Sequence, residues 1–412
     1  MLSKSLMLLG RLSRRLAVRV LLGALLALGI LLLAPLIQPL IPDGWTDRFG
    51  RDSVLPILTI LASSMLTVTT FSLSVMVQAF RAASSQATPR AYRLHLADTT
   101  THTVLATFTG AFLYSLTAIA LFRAKIYSDP AAVVVFWVTM GVIVAIVVAI
   151  LRWIDHLSTL GSMDDTLEMA ESHAKTPLRA YMESPTLGGV PIEAGTLPPQ
   201  GSRAVTAERG GHVQFIDMAR LEQRLSDAGA EFQVAAIPGA HVIQGEPLGW
   251  ISGDGIDEKQ IRACFTLGVF RTLEQDVRFG AQLLNEIAVR ALSPAVNDPG
   301  TAIDVIRRLI RMLTEAGRPS EDAPRCPHIS IVPASAFDLL SDAFDQIARD
   351  GANRPDVVGA LLDGLEVLQR EDWPELAAAA RERRHYAIAH AEAAITVEPD
   401  RKWLQEKADR ER

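Results

Sequence analysis

Apolar residues crowd into four long runs within the first 151 positions. Residues 16–33 carry a single charge, Arg19, and the run extends through Pro35 and Pro39 to Leu40. Residues 54–77, 104–122 and 131–151 carry none. Each run is about 18–24 residues, the length a helix rising 1.5 Å per residue needs to cross a hydrocarbon core of about 30 Å. The pattern predicts a transmembrane domain over residues 1–156 with four helices, at about 16–40, 54–77, 104–122 and 131–151. Lys4, Arg11, Arg14 and Arg15 resemble the basic start of a signal peptide. The apolar run behind them is longer than a signal core and no small-x-small site follows, so a retained helix is expected.

Polar positions inside the second run are also patterned. Thr59, Ser63, Thr67, Thr70, Ser74 and Gln78 recur at helical spacing and share one face. Two readings fit. The stripe is a wetted seam lining a pore, or it is a row of small residues that lets helices approach and bond across an interface. Its hydroxyls can also bond back to their own i−4 carbonyls. In the following loop, Thr88 and Pro89 predict a helix start, with Thr88 as N-cap and Pro89 as first helical residue. His95, Asp98 and His102 then fall at i, i+3 and i+7, one helix face. Imidazole and carboxylate suit a metal or a proton, and they suit an interfacial helix beside headgroups equally.

Beyond residue 156 the apolar runs end. SMDDTLEMAESHAK has a helical pattern, and residues 184–203 then hold four Pro and four Gly. Residues 157–203 are therefore expected to be a helical extension and a linker that holds neither helix nor sheet for long. Residues 204–254 contain short β-rich runs at 213–216, 232–237, 241–243 and 248–251, with one helix, MARLEQRLSDAG, among them. This small β module resembles barrel-sandwich domains of the lipoyl type. Those carry a modified Lys at a tight turn, and none lies between Lys175 and Lys259, so a swinging-arm role is excluded. Residues 255–412 are expected to be helical. Phe279, Leu283, Ile287 and Ala291 form an apolar stripe, Ser293-Pro294 ends that helix and Asp298-Pro299 starts the next. Asn297 and Asp298 in this corner offer oxygens to a ligand or cation; a capped helix–helix corner accounts for them as well. The alternating charges of Glu274, Asp276, Arg278, Glu286 and Arg290 point to surface or intersubunit pairing. The expected fold class is a mainly α membrane protein, with four transmembrane helices followed by a cytoplasmic α+β region.

Composition sharpens this division. The 412 residues are 49% hydrophobic and 21% charged, with a mean hydropathy of +0.22. Residues 1–156 hold 13 basic and 6 acidic side chains, a net of +7, and the remainder hold 27 and 40, a net of −13. An acidic half without a basic cluster excludes nucleic acid as a partner. Cys264 and Cys326, with no CxxC, fit a reducing compartment and exclude a disulfide framework. Lys4, Arg11, Arg14, Arg15 and Arg19 precede or open the first run, Arg81, Arg90 and Arg93 follow the second, and Arg152 follows the fourth. The loops of opposite parity offset Arg48 and Arg51 with Asp43, Asp47 and Asp52, and set Arg123 and Lys125 beside Asp129. The positive-inside rule predicts a multi-pass inner-membrane protein with both termini cytoplasmic.

No GxxxxGK[ST], HExxH, GxSxG or strand-borne GxGxxG occurs, so neither an enzyme nor a cofactor is expected. No acidic residue lies in a span, which counts against an ion-coupled pump. A homo-oligomeric, channel-like protein is expected, with the Thr59–Gln78 stripe as pore wall, Arg81, Arg90 and Arg93 at its cytoplasmic mouth, and lipid and ions as partners. The rival is a non-conducting scaffold or sensor that binds a cytoplasmic partner or ligand. Four spans, Thr88-Pro89-Arg90 after the second, FTGAFLYSL in the third, GHVQFID, PGAHVIQGEPL and DVRFGAQLLNEIAVRALSPAVNDPGTA together resemble a bacterial family of predicted membrane proteins of unknown function, the DUF2254 type. The likeness runs over roughly residues 10–400, and its late motif is the most specific. The family more usually shows Ser-Pro-Arg at 88–90, a departure that keeps the capping hydroxyl. The resemblance implies an integral membrane protein with a cytosolic domain and supplies no activity.

Reporter fusions after Asp43, Ser85, Asp129 and Ala207 are expected to report outside, inside, outside and inside. An outside signal at Ala207 overturns the orientation.

Overall fold

Long apolar stretches without a helix stop become long helices: α1 (Arg51–Gln86), α2 (Thr99–Arg123) and α3 (Asp129–Thr159). The computed structural model describes residues 18–25, 29, 45, 48–86, 88–91, 93, 98–127 and 129–409. Three helices among these are long and apolar enough to cross a membrane, over Arg51–Arg81, Thr99–Arg123 and Ala131–Ser158. The predicted first span, 16–40, lies outside the described residues except for 18–25 and Gly29, where the chain is helical. Of the four predicted spans, the described residues show the second, third and fourth. Each helix outruns the apolar run that predicts it, because backbone hydrogen bonding continues into the polar flanks until a cap or turn stops it.

The chain divides between Asp165 and Thr166 into two units. In the N-terminal one, α2 is central. Met65, Met76 and Phe80 of α1 meet Val104, Leu105 and Phe108 of α2 and Ile146, Ala149 and Trp153 of α3 in one cluster. Val54, Leu58, Tyr114, Phe122 and Val135 form a second. The buried Tyr114 hydroxyl donates to Val135 O at 3.1 Å and lies 3.0 Å from Thr139 Oγ1. Gly23 lies against Ala106 O and Gly110, so the 18–25 helix approaches α2 closely. Ile60, Leu66, Phe71, Val144, Leu151 and Ile154 stay more than half exposed on the outer faces of α1 and α3, a surface that suits lipid. After α3 the chain turns at Gly161, whose φ is +81° and whose Cβ, if present, would stand 2.9 Å from Ala79 O.

The C-terminal unit follows α4 (Met163–Glu183) with β1 (Gly189–Pro191), β2 (Arg203–Thr206), β3 (Gly211–Ile216), α5 (Met218–Ala228), β4 (Glu231–Val234), β5 (His241–Val242), β6 (Pro247–Ser252), α6 (Glu258–Arg262) and β7 (Phe265–Gly268). Then come α7 (Val277–Leu292), α8 (Pro299–Ala316), β8 (Cys326–Ile331), α9 (Ala336–Asp350), α10 (Pro355–Leu368), α11 (Pro374–Ala394) and α12 (Glu398–Asp409). Five strands lie in the order β1-β8-β4-β6-β2 and three in the order β5-β3-β7. The two sheets and α5 share one core that includes Ile216, Leu221, Leu225, Phe232, Ile251 and Ile329.

This arrangement redraws the expected module of 204–254. The five-stranded sheet takes β1 from the Pro/Gly-rich stretch and β8 from the stretch expected to be helical, and that stretch also gives β7 to the three-stranded sheet. Both β1 and β4 pair with β8 in parallel. Parallel partners come from far along the chain, so no neighbouring hairpin signal marks β8. In β1, Gly189 has Ile329 O where a Cβ would stand, at 2.8 Å. The residues that suggest a linker are what let this edge strand dock.

Helix α4 is fixed to the helical layer in two ways. Gly280 of α7 meets Ala174 so closely that an added Cβ would lie 2.5 Å from the Ala174 Cβ. Glu171 is 5% exposed. It accepts from Arg308 Nη1 at 3.0 Å and from Arg311 Nη2 at 2.6 and 2.8 Å, and pairs with Lys175 Nζ at 3.0 Å. Burial opposes ionisation of Glu171, but the Arg311 and Lys175 hydrogen bonds outweigh it and hold its carboxyl below the ordinary 4.5.

Two outcomes follow from this docking. Gly280→Ala is expected to destabilise the protein by about 1–3 kcal/mol through overpacking. Ala174→Gly in the same chain should recover part of that loss, read as a coupling in thermal unfolding. For Glu171, a depressed carboxyl contributes stability that is complete above its unfolded pKa and lost as pH falls through the folded value. The unfolding midpoints of wild type and Glu171→Gln should therefore differ most at neutral pH and converge as the pH falls through the depressed pKa of Glu171; parallel curves across that range would remove Glu171 from the account.

Candidate functional site

The stripe on α1 is found where the spacing puts it. Thr59, Ser63, Thr67, Thr70, Ser74 and Gln78 are all exposed, while Val54, Leu58, Met65, Met76 and Phe80 of the same helix are buried. The stripe therefore lies on the outer face of α1 and not inside the helix packing. Thr59 Oγ1 donates to Leu55 O at 2.9 Å, Ser63 Oγ to Thr59 O at 3.0 Å, Thr67 Oγ1 to Ser63 O at 3.3 Å and Thr70 Oγ1 to Leu66 O at 3.1 Å. Arg81, Arg90 and Arg93 are exposed beyond the stripe. The Thr88 hydroxyl accepts from Ala91 N at 3.1 Å, and residues 89–91 form a turn there.

Asp98 does different work from that expected. Its backbone, at φ −59° and ψ 117°, is not helical, and its carboxylate caps α2 by accepting from Thr100 N at 2.9 Å and Thr101 N at 3.1 Å. Asp98 thus stands before α2, at its cap, and not on a face of it. His102 is buried on α2, and His95 lies outside the described residues. The imidazole beside Asp98 is that of His156, with Nε2 2.7 Å from Asp98 Oδ2 and 3.2 Å from Thr101 Oγ1. Burial opposes the Asp98 charge, but these hydrogen bonds outweigh it and hold the carboxyl well below the usual range. Among the described residues no three His, Cys, Asp or Glu side chains are placed to hold a metal ion.

The Asp98–His156 contact joins the start of α2 to the end of α3, and beside it opens a cleft of about 440 Å³. Thr99, Thr100, Thr103, Val104, Arg152, Asp155 and His156 line it. Arg19 reaches the same helix end, donating from Nη1 to Thr99 O at 3.0 Å and Thr103 Oγ1 at 2.7 Å. Sequence reasoning missed this group. Asp98-Thr99-Thr100-Thr101 carries a readable capping signal, but the pairing with His156, 58 positions away, exists only in the fold.

In the C-terminal unit, Asp298 caps α8, accepting from Thr301 N at 3.1 Å and Thr301 Oγ1 at 2.6 Å. Those bonds lower its pKa. Asn297 has φ +54° and accepts from Arg354. Both oxygens thus serve the corner itself. Asp276 caps α7 and pairs with Arg271, and Arg278 binds Asp342 at 2.7 Å and Asp338 at 3.0 Å. Of the alternating series, the part-exposed Arg278 makes the surface pairing expected, and Asp276 is buried in its pair with Arg271. A hollow bordered by Tyr181, Asp276 and Arg278 measures about 60 Å³, room for water and little more. Cys264 and Cys326 are free and buried, and burial pushes the Cys326 thiol up to about 11, which makes it a poor nucleophile.

Comparison with known proteins agrees with the apolar outer faces of the helices. An uncharacterized protein of Mycobacterium bovis and one of Mycobacterium tuberculosis strain H37Rv are each 27% identical over 331 residues, covering 76% of this chain and 63% of theirs. The chain therefore spans somewhat under two thirds of the length of these relatives. No solved structure matches it. The family described as "Predicted membrane protein (DUF2254)" matches residues 11–367, and the chain belongs to that family of membrane proteins.

Proposed function

We propose that the protein is a homo-oligomeric, channel-like protein of the inner membrane, with α1 as the wall of a passive path and the C-terminal unit as a cytoplasmic regulatory domain. The observation that carries this reading is the placement of all six stripe residues on the outer face of α1, uncovered among the described residues. The Gln78 amide and the hydroxyl row are poorly matched to lipid, and a second copy would bring like stripes together. A wall of neutral hydroxyls gives weak selectivity, and Arg81, Arg90 and Arg93 at the cytoplasmic end would favour anions. Support for the orientation comes from the basic flanks of the apolar runs.

A second reading, a non-conducting scaffold or sensor, draws on a specific observation. The hydroxyls of Thr59, Ser63, Thr67 and Thr70 are satisfied by their own helix, so α1 faces lipid at little cost without a partner.

Purified protein in mild detergent is expected to run as an oligomer by mass, and in a planar bilayer to conduct. Thr67→Leu and Thr70→Leu should then reduce conductance by dewetting the path. A folded monomer, or a wild type silent across voltage and tension while the variants only weaken assembly, decides for the scaffold.

A further inference from the structure

The cleft between the start of α2 and the end of α3 holds two charged groups without a hydrogen bond or ion pair among the described residues, although the Asp155 charge bears electrostatically on His156. The Arg152 guanidinium is exposed and forms no hydrogen bond or ion pair among the described residues, and the same is true of the Asp155 carboxylate. Both line the cleft together with the side chains of Thr99, Thr100 and Thr103. The α2 amides at Thr100 and Thr101 are already taken by Asp98, so any ligand must be met by side chains. His156, locked to Asp98 at 2.7 Å, forms a fixed wall. The cleft is therefore preformed by the fold, with the Arg152 cation, the Asp155 anion and the hydroxyls of Thr99 and Thr100, while the Thr103 hydroxyl donates to Thr99 O at 2.7 Å and accepts from Arg19.

Its depth is set by the helices that make it. Thr99 is the first residue of an apolar window and Arg152 to His156 are the last turns of another. One turn away, Val104 and Leu105 of α2 are buried, and Leu151 and Ile154 of α3 are exposed apolar side chains. The cleft thus opens where hydrocarbon gives way to headgroups. We propose that it binds a phosphate ester that also carries a primary ammonium, supplied by the bilayer as phosphatidylethanolamine. The phosphate sits on Arg152 and the hydroxyls of Thr99 and Thr100, and the ammonium donates to Asp155. A volume of about 440 Å³ falls in the range of small-molecule sites. A purely anionic headgroup leaves Asp155 unpaired beside a negative charge. A choline headgroup has no N–H to donate to it. The proposal is independent of whether α1 conducts.

The test uses the full chain in mild detergent, offered equal amounts of phosphatidylethanolamine, phosphatidylglycerol and phosphatidylcholine with matched acyl chains. Bound lipid is read by native mass spectrometry and thermal stability. Wild type should retain phosphatidylethanolamine in preference to both others. Arg152→Gln should weaken retention about tenfold, and Asp155→Asn should abolish the preference over phosphatidylglycerol while leaving lipid binding in place. Both residues are exposed, and the lipid-free melting temperature of each variant checks that it folds. Equal retention of the three lipids by wild type, or a preference untouched by either substitution, overturns the site. Stabilisation by soluble phosphoethanolamine to the same extent as by the lipid overturns the bilayer as its source.

Discussion

Hydrocarbon offers a protein backbone no hydrogen-bond partner, and the N-terminal unit is arranged around that constraint. Its long elements among the described residues are helices, whose N–H and C=O groups are satisfied within the element. The same rule extends to side chains. Tyr114, almost fully buried, turns its hydroxyl to Val135 O and Thr139. Thr59, Ser63, Thr67 and Thr70 spend their donors on carbonyls one turn back. Groups that cannot be satisfied in this way, the guanidinium of Arg152 and the carboxylates of Asp98 and Asp155, are gathered at the helix ends.

The C-terminal unit solves a different problem. Its helices and two sheets are built around apolar cores, and the charged groups inside it are compensated in place. Glu171 is the clearest case, a buried carboxylate met by two arginines and a lysine. Removing one partner of such a group costs far more than the pair contributes, because the remainder is left charged and unsolvated. Together with the contact of Gly280 on Ala174, this fixes the position of α4 against α7 and α8. The acidic excess of this half is carried on its surface and in such local pairs, and it makes no site by itself.

What the amino-acid pattern disclosed, and what it hid, follows from the range of the interactions. Helix α5 and its stop at Gly229, the Asp298 cap and the one-sided stripe on α1 depend on residues three to four apart, and the spacing carries them. Strand β8 depends on partners at 189–191 and 231–234. Its buried positions Cys326, Ile329 and Ile331 do not alternate strictly, and the strand is too short to stand out between two helices. The metal-like spacing of His95, Asp98 and His102 assumed a continuous helix, and an Asp just before a run of threonines is a stronger cap than a ligand. His156 lay at the end of an apolar run with nothing local to mark it.

The polar cleft also places the helices in the bilayer. At the end of α3 opposite His156, Trp137 packs with Trp45 at 6.1 Å and with Phe49 at 5.7 Å, and Phe49 with Phe136 at 4.9 Å. Aromatic groups of this kind favour the membrane–water boundary. From Trp137 to His156 a helix rises roughly 28 Å. On α2, which runs the other way, Thr103 lies at the polar end and Phe122 packs on Tyr127 at 5.1 Å at the other. That interval is again roughly 28 Å. Two helices measured independently give the thickness of one hydrocarbon core. A shift of either by one turn would draw Arg152 and Asp155 into lipid or push the aromatic cluster into water. The Asp98–His156 contact holds α2 and α3 at the register where both boundaries are met.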